Sequence, residues 1–419
     1  LTFDRARRML VANSPNLRAA QARADRRSSE AELPALWPNP TINVSQDRTH
    51  LPGGALDTQV LLSVGQSLRY PGAMQARRRA ARAQHQAAAA HYGEEAARQY
   101  RLLRTRYLDL VLAQEQVQIY ERVREAVAGA AHAGQVRYEE GDIGKFRQVR
   151  LRVALAELEN DLAQARSDRQ RARMELAYLL LPDTSARQMR EQEFTEFRVS
   201  GSLDYTPIAV EYETVLRRAF DERNMLTAVR AERQASRQAL RADRYARYPG
   251  LSVSAGPKMQ AVDGDAGYGY TAGISVSIPL WNRGRTQVDA SRSRLAETEA
   301  RLEAARRRVE SEVRDAYTRL QSYRGRIERI SEEVLTDTDS LLEDALYVYS
   351  EGDLELVGLL DAITAASSSA VLKTDLVAGY LKSLYDLEYA IGVGPGDSSP
   401  LLDGALHVRR AHLDTTDLN

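Results

Sequence analysis

The sequence predicts a mainly α-helical fold with a β-barrel contribution, built from a duplicated unit of helix, β-hairpin, very long helix and helix. Three observations predict it: an internal repeat, two pairs of short segments that alternate with period two, and long stretches of helical pattern free of proline. Four strands per chain cannot close around a lumen, so the expected barrel has twelve strands from three copies.

The repeat comes first because it sets the frame. Tyr138-Glu139-Glu140-Gly141-Asp142-Ile143 returns as Tyr349-Ser350-Glu351-Gly352-Asp353-Leu354. Ser63-Val64, Leu68 and Gly72 recur as Ser275-Val276, Leu280 and Gly284, while Leu17, Ala19 and Ala22 recur as Leu226, Ala228 and Ala231. Ile42 and Val44 match Leu251 and Val253 at the same offset of roughly half the chain, which is the signature of one duplicated unit. The first structural repeat is assigned to residues 1–209 and the second to 210–419.

Within the first repeat, Thr2 to about Leu36 reads as helix, with Leu10, Leu17 and Ala20 on one face, and Trp37-Pro38-Asn39-Pro40 breaks it. Strands follow at about 41–47 and 58–68, the second placing Val60, Leu62, Val64 and Leu68 on one face, with a loop at Pro52-Gly53-Gly54 between them. In the second repeat the strands fall at about 251–261 and 268–280. There Tyr268, Tyr270, Ala272, Ile274, Val276, Ile278 and Leu280 alternate with Gly269, Thr271, Gly273, Ser275 and Ser277. Long helices are expected over about 72–139 and 284–350, each about 100 Å at 1.5 Å per residue, followed by helices over about 143–181 and 354–391. Their stripes are narrow: Tyr100, Leu103, Tyr107, Leu110 and Val117, then Leu151, Leu155, Leu158, Leu162, Ala165, Ala172, Leu176 and Leu179, as in coiled-coil seams. Gly141 and Gly352 are expected to end a helix, and Asp142 and Asp353 to cap the next. Residues 182–209 read as an irregular polar connection and the chain after Gly392 as a loosely held tail.

Composition narrows the function classes. Lys+Arg and Asp+Glu both number 58, so bulk charge offers nothing to nucleic acid. There is no Cys, hence no disulfide framework, thiolate metal site or Cys nucleophile. Leu1 is not an initiator Met, as expected of a processed or trimmed product. No run of eighteen apolar residues occurs, which is read as excluding a membrane-spanning helix. A bilayer crossing would have to be made by strands. Four strands of roughly ten residues are long enough to cross when tilted, but an open edge is not tolerated in lipid. Eight strands from two copies would fill with side chains, whereas twelve from three leave room for a pore. Ile274, Val276 and Ile278 should then meet lipid and Ser275 and Ser277 the lumen. Trp37, Tyr70, Tyr248 and Trp281 flank the strands at one end, where a membrane interface favours aromatics.

The duplication, Trp-Pro-Asn-Pro before the first strand, Tyr-Pro-Gly and Asn-Arg-Gly-Arg at the starts of the long helices, and the Gly-Asp tips resemble the TolC family of outer-membrane efflux channels. Asn13-Ser14-Pro15-Asn16-Leu17 and Pro38-Asn39-Pro40 look most like its heavy-metal efflux branch. The resemblance implies a homotrimer in the Gram-negative outer membrane whose barrel continues into a helical tunnel through the periplasm, docked onto an adaptor protein and an inner-membrane pump. It implies a gate at the helical tips, with Tyr349 in the position of a tether and Asp361 in that of an acidic ring. The family's Arg partner falls here on Leu354 and a second acidic position on Gly358, so Arg147 and Arg150 pairing with Asp361 or Glu355 are the expected substitutes. Gly141, Asp142, Ile143, Gly352, Asp353 and Leu354 are the implied adaptor contacts.

No catalytic residues, cofactor or metal ligands are assigned: His85 and His91 lie off one helical face, the methionines are scattered and no phosphate-binding loop occurs. The function read is that of a passive exit duct of a tripartite efflux system, with heavy-metal cations as one cargo. A multidrug or type I protein secretion duct is the alternative, and a soluble periplasmic helical scaffold or adaptor the rival from another class.

Overall fold

The computed structural model describes residues 1–54, 56–181, 198–263, 265–281, 283–330, 332–351 and 354–394. Most of the expected connection at 182–209, the tail beyond Gly394, and Gly352 and Asp353 lie outside the described residues.

Helices α1 (Phe3–Asn13) and α2 (Pro15–Glu32) lead to the hairpin β1 (Thr41–His50) and β2 (Leu56–Leu68), and α3 (Pro71–Glu139) and α4 (Lys145–Leu180) follow. The second copy gives α5 (Tyr212–Glu222), α6 (Asn224–Asp243), β3 (Gly250–Val262), β4 (Asp265–Ser277), α7 (Arg285–Arg329), α8 (Glu332–Glu351) and α9 (Leu356–Ile391). The expected first helix is broken at Ser14, whose φ of −63° and ψ of 116° are extended. Pro15 imposes this, because its ring disfavours the helical conformation in the residue before it. The second copy breaks at Arg223 with nearly the same angles, −63° and 117°, and without a proline. Of the helix expected over 284–350 the structure describes α7 and α8, with Ile330 donating to the Arg326 carbonyl at 3.3 Å and Ser331 outside the described residues.

The chain divides into two compact units that cut across the repeats. One comprises residues 19–92 and 224–307 and holds the sheet. Its strands run β1-β2-β3-β4, antiparallel throughout. The register stacks Ile42 on Val64, Val64 on Ala255, Leu68 on Leu251, Leu251 on Val276 and Val253 on Ile274, so the apolar residues of all four strands share one face. Thr41, Asn43, Gly65, Ser252, Ser254, Gly273, Ser275 and Ser277 share the other. Gly256 is required where β3 crosses β2: a Cβ there would stand 1.9 Å from the Leu62 carbonyl oxygen. The β2–β3 pairing is interrupted at this point, where Pro257 has no N–H to offer a ladder.

The other unit comprises residues 1–18, 93–223 and 308–419 and is helical wherever it is regular. Leu10 of α1, Leu103, Tyr107 and Leu110 of α3, and Leu176 and Leu180 of α4 form one core. A second core joins Ile119, Val123 and Val127 to Leu151 and Leu158, and these to Tyr349, Leu356, Leu359 and Ile363. The stripe residues Leu103, Tyr107, Leu110, Val117, Leu151, Leu158, Leu162, Ala165, Ala172 and Leu176 are all buried.

The exclusion of a helix able to cross a membrane is corrected: α9, 36 residues long, passes by length and mean hydropathy. Leu356, Val357, Leu359, Leu360, Ile363 and the alanines keep the mean high, while Asp361, Thr364, Ser367 and Ser368 interrupt the apolar run. From Leu376 to Ile391 that helix is buried on nearly every side, as an all-round apolar helix in a core should be.

Candidate functional site

The strand register places all four flanking aromatics at one end of the sheet. Thr41 starts β1, Leu68 ends β2, Gly250 starts β3 and Ser277 ends β4 at that end, so Trp37, Tyr70, Tyr248 and Trp281 gather there. All four are exposed, Trp281 at 93%. Tyr70 donates its hydroxyl to the Pro249 carbonyl at 2.6 Å, and its ring lies 5.7 Å from that of Tyr248 and 6.1 Å from that of Tyr245. An exposed aromatic cluster costs free energy in water and is favoured at a lipid headgroup boundary. Beside it the apolar sheet face carries Ile42 and Val44, each 71% exposed, Ile274, Tyr268 and Tyr270, none covered by the chain itself. Among the described residues both outer strands, β1 and β4, keep one unpaired edge.

At the first tip Gly141 takes φ +85°, the left-handed conformation expected of a helix-ending glycine. The backbone N–H groups of Asp142 and Ile143 both donate to the Arg137 carbonyl, at 2.8 and 3.3 Å, closing the end of α3. Asp142 does not cap the next helix: α4 starts at Lys145 behind Gly144, with no side-chain cap. The N-cap of α9 is likewise Glu355, without a side-chain hydrogen bond. Of the expected tip contacts, Gly141 and Asp142 are exposed and Leu354 is half-buried. Ile143 instead turns inward and is buried, near Gly134 and Leu151.

The expected gate residues do not meet within one protomer. Tyr349 is buried in the core formed with Leu356, Leu359 and Ile363. Asp361 is exposed on α9 between the buried Leu359 and Ile363. Arg147, Arg150 and Glu355 are exposed, and no ion pair joins either arginine to Asp361 or Glu355 among the described residues. Arg150 lies instead over the Phe146 ring at 5.9 Å.

Two features escaped the sequence reading. Phe146, Tyr347 and Val357 stand 73%, 68% and 51% exposed near the tips, an apolar surface the chain leaves bare. Second, a polar ladder fastens α9 to α3. Gln116 donates to Asp375 at 2.9 Å, Lys382 pairs with Asp109 at 2.6 Å, Arg101 with Asp386 at 2.5 Å, and Arg104 with Glu388 in full burial. Arg223, at the extended break, pairs with Glu94 and Glu312 at 3.0 and 3.1 Å and lies 3.9 Å over the Tyr389 ring. Charges spread over sequence separations near 285 give no local pattern to read. No cluster of His, Cys, Asp and Glu suited to a metal ion occurs among the described residues.

Solved structures with this arrangement are outer-membrane channels. The chain superimposes on OprN with a TM-score of 0.76 at 16% identity, covering 94% of this chain and 90% of that one. It matches CmeC of Campylobacter jejuni with a TM-score of 0.76 at 14% identity, over 94% and 87%. VceC of Vibrio cholerae gives 0.74 at 18% identity, over 94% and 96%. In sequence the chain is 23% identical over 257 residues to CzcC, the cobalt-zinc-cadmium resistance protein of Cupriavidus metallidurans. The aligned stretch spans 61% of this chain and 58% of that relative. Family and fold are thus those of channel proteins rather than enzymes. With the Outer membrane efflux protein profile matched over residues 6–180 and 215–392, the chain belongs to the outer membrane efflux protein family.

Proposed function

We propose that three copies of this chain close a twelve-stranded barrel in the outer membrane and continue as a helical periplasmic duct, a passive exit for cargo delivered by an adaptor and an inner-membrane pump. One observation carries the reading: a four-stranded antiparallel sheet with two free edges, one face apolar and bare, the other lined by Ser, Thr, Asn and Gly. Bare apolar strands and unpaired edges are tolerated together only where sister strands close the edges and lipid covers the face. The bare apolar residues near the tips, Phe146, Tyr347 and Val357, fit burial against a neighbouring subunit.

In that assembly Asp361, exposed on α9, lines the closed end of the duct. Arg147 and Arg150 of one protomer pair with Glu355 or Asp361 of the next, and Tyr349 holds the core beneath them. The tips at Gly141–Asp142, with Gly352, Asp353 and Leu354, receive the adaptor, and the four strand-end aromatics mark the periplasmic headgroup level. The cargo is divalent heavy-metal cations, after the resistance named for the curated relative. Purified protein extracted in detergent should run as a heat-modifiable trimer and conduct ions in a planar bilayer. A monomer soluble in buffer without conductance refutes the duct. A deletion strain no more sensitive to cobalt, zinc or cadmium, yet sensitised to drugs or blocked in protein export, refutes the cargo alone.

A further inference from the structure

Although the chain as a whole is neutral, its cations crowd at the strand–helix junction. From Arg69 to Gly93 it carries Arg69, Arg77, Arg78, Arg79 and Arg82 and no carboxylate. From Arg237 to Tyr248 it carries Arg237, Arg241, Arg244 and Arg247 against Asp243, whose carboxylate is occupied by Ser291 and Gln287. The start of α3 and the end of α6 enclose a groove of about 690 Å³ lined by Arg79, Arg241, Arg244, Arg247, Tyr245 and Tyr248. All four arginines are exposed, and among the described residues none has a carboxylate within ion-pair distance. Gln238 also lines the groove; it is 4% exposed and its carbonyl oxygen has no hydrogen-bond partner among the described residues. Four unpaired guanidiniums and an orphaned buried amide oxygen form a surface built for an anionic group that also offers a hydroxyl.

The position selects the anion. Tyr245 and Tyr248 belong to the aromatic cluster with Tyr70. Tyr70 stands two residues beyond Leu68 and so continues the apolar row of β2. The groove therefore opens beside the sheet face assigned to lipid, at the depth of headgroups. We propose that it binds the phosphodiester headgroup of an anionic glycerophospholipid, with Arg244 and Arg247 on the phosphate and Gln238 accepting from a headgroup hydroxyl. This rests on the barrel reading above.

The test uses the detergent-purified trimer, full-length, with phosphatidylglycerol or phosphatidylcholine added, and counts retained lipids by native mass spectrometry. Wild type should retain phosphatidylglycerol over phosphatidylcholine. Arg244→Gln/Arg247→Gln should weaken phosphatidylglycerol retention roughly thirtyfold. Arg122→Gln/Arg152→Gln, which removes the same charge from exposed positions in the other unit, should leave it unchanged. Equal retention of the two lipids, equal loss in both double variants, or displacement of lipid by millimolar inorganic phosphate overturns the proposal. Bilayer conductance of the same preparations separates the claims: conductance without lipid preference sinks the lipid site alone, and no conductance from wild type sinks the barrel.

Discussion

Replacing Arg104 by methionine would strip a guanidinium that is 5% exposed from a carboxylate, Glu388, that is 1% exposed. The guanidinium also lies 4.9 Å from the Tyr100 ring and 4.5 Å from the Tyr385 ring. Burial pushes the Tyr385 hydroxyl up to about 12, so this phenol stays neutral at any working pH. Breaking a buried pair from one side costs about 3–5 kcal/mol, because the surviving charge is left in a medium that cannot solvate it. Replacing both partners by apolar groups of similar volume is often neutral. Arg104→Met should therefore lower the thermal midpoint of the trimer by about 6–20 °C, taking about 2–4 °C per kcal/mol for a large domain. Arg104→Met/Glu388→Leu should recover most of that loss. Far-UV circular dichroism on detergent-solubilised trimer reads both. A single variant within about 2 °C of wild type, or a double variant at the sum of the two single losses, would refute the reasoning.

Three further outcomes follow from other parts of the molecule. Gly256→Ala drives a methyl into the Leu62 carbonyl; it should cost at least about 1–3 kcal/mol and reduce the heat-modifiable trimer band, whereas Gly269→Ala, where nothing lies within 4 Å, should not. The His91 ring, hydrogen-bonded at 2.8 Å, holds the Glu232 carboxyl below the usual carboxylate range. The stability this contributes is present above the unfolded value of 4.5 and is lost as pH falls through the lower folded value. Glu232→Gln should lower the melting midpoint near neutrality and converge on wild type at acid pH, and parallel profiles would count against the pairing. Asp361→Ala should alter single-channel conductance and relieve block by multivalent cations; no change in either removes Asp361 from the duct.

The sheet was legible because period two needs only a short window: Ile274, Val276 and Ile278 against Ser275 and Ser277 declare both faces without reference to the rest of the chain. The duplication placed both hairpins, and the narrow stripes of α3 and α4 named most of their buried residues. The helix breaks were harder. Ser14 is betrayed by Pro15, but Arg223 is held extended in the interior by partners as distant as Glu312, and nothing local records that. The tip caps failed because Gly141 ends α3 through backbone bonds to Arg137, leaving Asp142 three residues short of α4. The Arg104–Glu388 pair was invisible for the reason any buried pair between remote helices is: each residue looks like one more charge in a chain that is 28% charged.

Because the chain contains no cysteine, single nitroxide labels can be placed on the sheet without background, and their collision rates with oxygen and with a water-soluble nickel chelate report which medium each face meets. In reconstituted trimer, labels at Ile274→Cys and Val276→Cys should favour oxygen, and those at Ser275→Cys and Thr271→Cys the chelate. Equal access of both quenchers to all four positions, or the opposite alternation, would contradict a lipid-facing apolar surface around an aqueous lumen.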